Sequence, residues 1–444
     1  MNEKMILGIH EKPKKGKWIA LSFQHVFAMF GATILVPMLT GLPISVALFA
    51  SGCGTLIYIL CTNAKVPVYL GSSFAYITVV AAVSGYSETG VGHYASALTG
   101  LFVVGIVYVI ISLIIRFIGK EWIHKVLPPI IIGPMIMIIG LGLSGVAVSN
   151  AGLSSGSPDA WKDILTAVVS FSIVVLVALK GKGFLKIIPF LIGIVGGYLF
   201  AAIIGNIDFS DFVAVIQNPT QWFKIPEFMI LGWKEGSANF LGTNITFYQI
   251  NLTAVLTIAP LAFVTAAEHI GDHAVLSKIV GKDFLKDPGL DKTLLGDGLA
   301  TAFSALIGGP ANTTYGENTS VVGMTKIASV WVIGGAAVIA ILLSFINVFT
   351  TLVSTIPASV MGGISIILYG FIASNGLRVL SESKVNMANL RNLIIVATML
   401  VLGLGGSLLA IGNFQIYGMS LAAIVGIILN FILPKEKKSD KKEI

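Results

Sequence analysis

Apolar residues in this chain neither alternate nor trace one face of a short amphipathic helix. They run in blocks of about 17 to 25 residues divided by short polar stretches, which is the length a helix needs to cross a bilayer. Clear blocks cover residues 18–40, 43–62, 93–117, 126–148, 162–180, 184–205, 251–276, 330–350, 357–376, 391–411 and 415–433. Three further segments, 68–84, 293–308 and 312–327, are shorter or interrupted by Gly, Pro and polar residues, and the loop lengths leave them no other use. The pattern predicts an all-α polytopic membrane protein of fourteen spans.

Charge tests that count, because Lys and Arg concentrate in cytoplasmic loops. With the N-terminus inside, all of the 28 Lys and Arg residues except Lys162, Lys224 and Lys234 fall on one side. Dropping one interrupted segment would invert the bias downstream of it, so an even number of spans is expected, with both termini cytoplasmic. Division into two sevens makes the second half enter the membrane upside down, as two inverted seven-span repeats. The third span of each half supports the division. "VPVYLGSSFAYI" and "GGPANTTYGENTS" both run from Pro through a short extended piece to Gly and polar residues, ahead of an apolar half-helix. Matched interrupted segments are the best sequence pointer to a binding site.

Composition adds exclusions. Only 11% of the 444 residues are charged against 55% hydrophobic, where a soluble domain carries roughly 25% charged. The net charge of +7 is spread over loops and tails, which reads as topology and not as a nucleic-acid surface. Cys53 and Cys61 lie inside apolar helical sequence and make neither a disulfide framework nor a zinc spacing. The first apolar block is too long for a signal-peptide core and lacks a small-residue cleavage site.

Unpaired backbone groups cannot face lipid, so a broken helix persists only inside protein or along a watery cavity. A half-helix that starts near mid-membrane offers free N–H groups and partial positive charge at its N-terminus. Two such ends suit an acceptor-rich, planar, even anionic solute, and Gly71 and Gly316 permit close backbone approach. Phe74 is placed to stack on a ring. Four acids, Glu268, Asp272, Asp297 and Glu317, fall within or close to expected spans, where carboxylates are costly and functional by default. Glu268 lies ten residues before Lys278, about 15 Å along a helix. Asp272 is four residues further on the same face. The two can share a proton as a coupling device, or Asp272 can be a solvated acid near the cytoplasmic end. Asp297 reads as a helix-end or loop contact. His269 and His273 share a helix face, but the acid precedes the first His where a metalloprotease motif needs it to follow; no metal is expected. No P-loop, nucleophile elbow or Rossmann fingerprint marks an enzyme.

Five runs, "FQHVFAMFGATILVP", "YLGSSFAYI", "AEHIG", "NTTYGEN" and "GGISIILYG", make the chain resemble the nucleobase-ascorbate transporter (nucleobase:cation symporter) family, and within it the bacterial uracil permeases. The resemblance covers essentially the whole chain. It implies a proton symporter importing uracil across the bacterial cytoplasmic membrane by alternating access, with no cofactor beyond the proton. A core domain would comprise 18–118 and 251–350, a gate domain 124–205 and 357–433, with 206–250 an extracellular loop and a homodimer formed through the gate. Carried over, the substrate carboxylates fall on Glu268 and Glu317, the backbone donors on Phe74 and Gly316, and the stacking ring on Phe74. Ala32, Ser73, Tyr315 and Tyr369 would line the pocket. Glu268, Asp272 and Asn318 would serve proton coupling, and His25 would be a structural hydrogen-bond site. Two departures stand out: Asp272 where such permeases often carry His, and Ser320 where the signature usually has Gly, which puts local packing in question. A purine symporter for xanthine or urate, and an anion channel or exchanger of the same architecture, are the alternative expectations.

Overall fold

A computed structural model describes residues 5–86, 92–154, 160–411 and 414–434. The chain is mostly helical, and every segment expected to span carries a helix. In order these are α1 (Lys15–Thr40), α2 (Ile44–Cys61), α3 (Ile77–Ser84), α4 (Ala95–Ile118), α5 (Pro129–Gly142), α6 (Ala160–Lys180) and α7 (Pro189–Ile203) in the first half. The second half holds α8 (Leu261–Val280), α9 (Leu290–Leu306), α10 (Gly316–Thr325), α11 (Val330–Ser344), α12 (Ala358–Glu382), α13 (Leu390–Leu404) and α14 (Gly418–Ile432). Shorter helices fill several connections. Among the described residues, six helices are long and apolar enough to cross a membrane alone, or seven if the bent pair ending in α8 counts as one.

Helix contacts sort into two blocks. In one, α4 packs along α9, α2 along α9 and α11, and α1 along α11; in the other, α12 packs along α5 and α6, α6 along α7, and α13 along α14 and α5. Lighter contacts of α1 with α7, and of α8 with α5 and α14, join the blocks. Helices surrounded by lipid gain little from hydrophobic burial against each other, so close van der Waals approach at small residues holds them. At the α4–α9 crossing, a Cβ on Gly105 would stand 2.6 Å from both the Gly298 carbonyl oxygen and the Ala302 nitrogen. At the α2–α11 crossing, one on Gly52 would stand 2.5 Å from the Ala337 carbonyl oxygen.

The structure departs from the sequence expectation in three places. Segment 293–308, grouped with the broken ones, is a continuous helix: its Gly296 and Gly298 face Tyr58 and Tyr108 at packing distance, so they serve contact and not a break. Loop 206–250 holds strands that the all-α expectation did not include. It carries a three-stranded sheet of β2 (Met229–Leu231), β3 (Gly236–Phe240) and β4 (Thr243–Tyr248), with β4 in the middle. Leu241 and Gly242 at positive φ make the β3–β4 turn, the geometry that matches strand twist. The expected span 391–411 stops being helical at Leu404, where Gly405 and Gly406 intervene, and β6 (Leu408–Ile411) pairs antiparallel with β7 (Phe414–Tyr417).

The glycine crossings make a prediction. Gly105→Leu should lower stability by ~1–3 kcal/mol or more through overpacking against backbone. Gly142→Ala, where an added Cβ meets nothing within 4 Å, should shift it by less than ~0.5 kcal/mol. Thermal unfolding of the detergent-purified variants checks both.

Candidate functional site

Pro67 and Pro310 each sit just ahead of a short strand, where a ring without an N–H discourages helix and favours extended chain. β1 (Leu70–Ser72) and β5 (Asn312–Thr314) are three residues each and fully buried. They pair antiparallel, Leu70 with Thr314, Gly71 with Thr313 and Ser72 with Asn312. Two further bonds close the ends, Ser73 N–H to the Ala311 carbonyl at 2.8 Å and Tyr315 N–H to the Tyr69 carbonyl at 3.1 Å. Each strand comes from a different half of the chain, so each satisfies the other's backbone. Beyond β1 the chain turns through a 3-10 turn, Phe74–Tyr76, into α3; beyond β5 it enters α10 at Gly316. Because the strands are antiparallel, the two helix starts lie at opposite ends of the pair.

Glu268 and Asp272 on α8, and Glu317 in the first turn of α10, come together here. Glu268 lies within electrostatic range of Asp272, Glu317 and Asp297, and all three site carboxylates are half-buried. Asp272 accepts a 2.6 Å hydrogen bond from the Thr314 hydroxyl of β5, which ties α8 to the strand pair. Among the described residues no Lys or Arg pairs with any of the three carboxylates. Outside the spans, Lys65 bonds Asp287 at 2.5 Å and holds its carboxyl below the usual carboxylate range, joining the α2–β1 and α8–α9 connections.

Phe74 presents its ring edge-on to Tyr369 of α12, with centroids 6.3 Å apart and planes at 76°. The contact crosses from one helix block to the other. Ala32 and Tyr315 share a buried cluster that Phe74 packs against. Tyr315 does more than line a wall: its hydroxyl donates to the Ser72 carbonyl at 3.0 Å and accepts from Thr33 at 3.2 Å. The Ser73 hydroxyl is buried and without a partner among the described residues. The two glycines differ. A Cβ on Gly71 would lie 2.3 Å from the Tyr315 ring, whereas one on Gly316 would meet nothing within 4 Å, and Gly316 is exposed. Gly71 thus makes room for Tyr315, and Gly316 faces open space.

Two sequence expectations change, those for Asp297 and Ser320, and Asn318 gains a partner. Asn318, grouped with the proton-coupling residues, has its amide nitrogen 3.0 Å from the His25 carbonyl and 3.1 Å from His25 Nδ1; it pins α10 to α1. Asp297 is no helix-end or loop contact. It is 1% exposed and its Oδ2 lies 2.8 Å from His269 Nδ1. His269 in turn stacks on His273 with ring centroids 4.0 Å apart, and His273 meets the Tyr58 hydroxyl. The two histidines therefore face the helix packing behind Glu268. Ser320 is exposed and returns its hydroxyl to the Gly316 carbonyl at 2.9 Å, so the departure from Gly crowds nothing. The Thr33–Tyr315, Thr314–Asp272 and Tyr58–His273 bonds were not legible in sequence, since each joins residues far apart along the chain.

The glycine pair can be tested directly. Gly71→Ala should cost ~1–3 kcal/mol by driving a methyl into a fixed ring, seen as a lower melting temperature. Gly316→Ala should leave the melting temperature within experimental scatter while weakening binding in the space it faces, seen by isothermal titration with candidate solutes.

Residues 16–412 match the Permease family. The chain is 45% identical to a uracil permease of Bacillus subtilis over 99% of its own length and 98% of that protein's. It is 46% identical to the uracil permease of Bacillus caldolyticus, covering 97% and 95%, and 39% identical to that of Escherichia coli, covering 96% and 93%. Among solved structures, the transmembrane domain of the cyanobacterial bicarbonate transporter BicA superposes with a TM-score of 0.61 at 14% identity, covering 95% of this chain and 98% of that one. The murine anion transporter Slc26a9 in its inward-facing state gives 0.63 at 12% identity, covering 95% and 69%. At such identities the likeness concerns fold alone. With the sequence matches running almost end to end, the chain belongs to the Permease family, the nucleobase-ascorbate transporters, and is an integral membrane transporter.

Proposed function

We propose that the protein imports uracil together with protons across the bacterial cytoplasmic membrane, by movement of one helix block against the other. The observation that carries this reading is the meeting of three unpaired carboxylates with two helix starts at a buried strand pair. Uracil offers two ring N–H donors and two carbonyl acceptors. Glu268 and Glu317 can take the donors, and the first amides of the two half-helices, at Phe74 and Gly316, have no intrahelical carbonyl of their own and can meet the acceptors. Phe74 supplies an aromatic face, and Tyr369 backs it from the opposite block. Hydrogen bonds to charged groups are the strong class.

Proton coupling follows from crowding. Three carboxylates in mutual electrostatic range inside protein cannot all ionise cheaply. Asp272 already holds the Thr314 hydroxyl, which suits it to the charged form and leaves Glu268 as the proton carrier. A proton on Glu268 balances the site for a neutral base. The uracil permeases among the relatives support the choice of base. An anion channel or exchanger, which the likeness to BicA and Slc26a9 would suggest, is opposed by the acids, since carboxylates without cationic partners repel an anion.

The same reading takes the fold as fourteen spans in two inverted sevens, with both termini cytoplasmic and a homodimer formed through the α5–α7 and α12–α14 block. The helix contacts support the repeat, because they come in pairs when each helix is exchanged with the one seven places away. The α4–α9 contact becomes α11–α2, α6–α7 becomes α13–α14, α12–α6 becomes α5–α13, and α1–α7 becomes α8–α14, all of which occur. Contacts α5–α12 and β1–β5 map onto themselves. The two contact blocks support a core built from α1–α4 and α8–α11 and a gate built from the remainder.

Glu268→Gln and Glu317→Gln should each weaken apparent uracil affinity roughly tenfold to a hundredfold, the loss of ~1.5–3 kcal/mol for a hydrogen bond to a charged group. Labelled-uracil uptake into vesicles with an imposed pH gradient measures this. Unchanged proton-driven uptake in both variants would sink the assignment, and a wild-type protein indifferent to a protonophore would remove the coupling.

A further inference from the structure

The structure assigns Thr265 as a positioning residue, which holds the Phe74 turn at a set distance from Glu268 through the Tyr76 hydroxyl. This inference deepens the reading given under Proposed function and rests on it only for the identity of the base.

Thr265 is 2% exposed, on the buried side of α8, three residues before Glu268. Its Oγ1 lies 2.7 Å from the Tyr108 hydroxyl and 2.9 Å from the Tyr76 hydroxyl, and 3.2 Å from the Leu261 carbonyl. A threonine hydroxyl has one proton and two lone pairs. With the proton returned to the Leu261 carbonyl one turn back, as helical threonines do, both lone pairs are free for the two phenols. Every site on the oxygen is then filled, and both tyrosines, 2% and 3% exposed, are satisfied. Tyr76 stands two residues after Phe74 in the same 3-10 turn. Tyr108 belongs to α4, so the knot joins the turn that carries the aromatic ring, the helix that carries two acids, and a long helix of the same block.

Position in the two halves argues that the knot is a paired device. Counting from the ends of the strands, Ser72 corresponds to Thr314, Phe74 to Gly316, and Tyr76 to Asn318. Asn318 reaches from the start of α10 to His25 on α1, and Tyr76 reaches from the turn before α3 to Thr265 on α8. Exchanging each helix with the one seven places away converts one contact into the other. Each half-helix start is therefore fastened by its fifth residue from the start of the strand pair's last position to the first long helix of the opposite half, one with an amide, the other with a phenol. Strand pairing alone fixes the starts along the strands; the two pins fix their rotation and depth.

The test uses the purified full chain in lipid nanodiscs for amide hydrogen exchange, and vesicles for uptake of a panel of labelled nucleobases. Thr265→Val keeps shape and removes the hub; Tyr76→Phe removes only the pin; Tyr108→Phe removes only the strut to α4; Thr265→Ser keeps the hydroxyl. Exchange over residues 74–79 should quicken at least tenfold in Thr265→Val and Tyr76→Phe, and stay within threefold of wild type in Tyr108→Phe and Thr265→Ser. The uptake KM for whichever base the wild type accumulates should rise about tenfold in the first two variants, with Vmax changed less than threefold, and remain unchanged in the other two. Equal effects of Tyr76→Phe and Tyr108→Phe would mark a general packing role and overturn the assignment, as would unaltered exchange in Thr265→Val. Failure of the wild type to take up uracil would refute the proposed substrate and leave the exchange result to decide the pin.

Discussion

A peptide group inside a bilayer has no water to bond, and the rest of this molecule depends on how that demand is met where two helices break. Neither β1 nor β5 could exist alone at that depth. Paired, three residues from each half close their own hydrogen bonds and leave two helix starts with open amides. The break is thus closed by the opposite half, and in the proposed reading it also supplies the donors that meet the base. A single half of the chain would have neither the pair nor the site.

Around that pair the carboxylates are the next constraint. Glu268, Asp272 and Glu317 stand close enough to feel one another and have no cation among the described residues to offset them. Helix starts supply some compensation, because donors and partial positive charge favour acids there. The Thr314–Asp272 bond supplies more. What remains is uncompensated negative charge, which the proposed reading assigns to a proton and to a ligand that brings its own N–H groups.

The two blocks meet at the site through Phe74 and Tyr369 and share two buried apolar clusters, although their helices pack less extensively across the seam than within each block. Within each block, glycines allow backbone-to-backbone approach that fixes the helices firmly; between them, contacts are fewer. The proposed movement of one block against the other would run along this sparser seam. The outer sheet of β2–β4 strengthens one block: Met229 N–H bonds the Ile307 carbonyl, and the Tyr248 hydroxyl bonds the Ala305 carbonyl, both at the end of α9.

Much of this was readable from residue order. Apolar blocks of bilayer length located each helix, and two Pro-to-Gly interruptions at matching places located the broken segments, because length and backbone chemistry act locally. Glu268, Glu317 and Phe74 stood out for a related reason: a charge or ring in such surroundings has few structural excuses. Local pattern misjudged residues whose partners lie far along the chain. Asp297 looked like an end contact until His269 was seen beside it, and Gly296 and Gly298 looked like breaks until neighbouring helices filled the space. Thr265, one hydroxyl in an apolar helix, carried no signal at all. Helix positions and the presence of a polar centre were determined by the sequence itself, since a bilayer imposes them residue by residue; which hydroxyl meets which phenol, and which histidine meets Asp297, only the tertiary structure decided, because those bonds join segments brought together by packing.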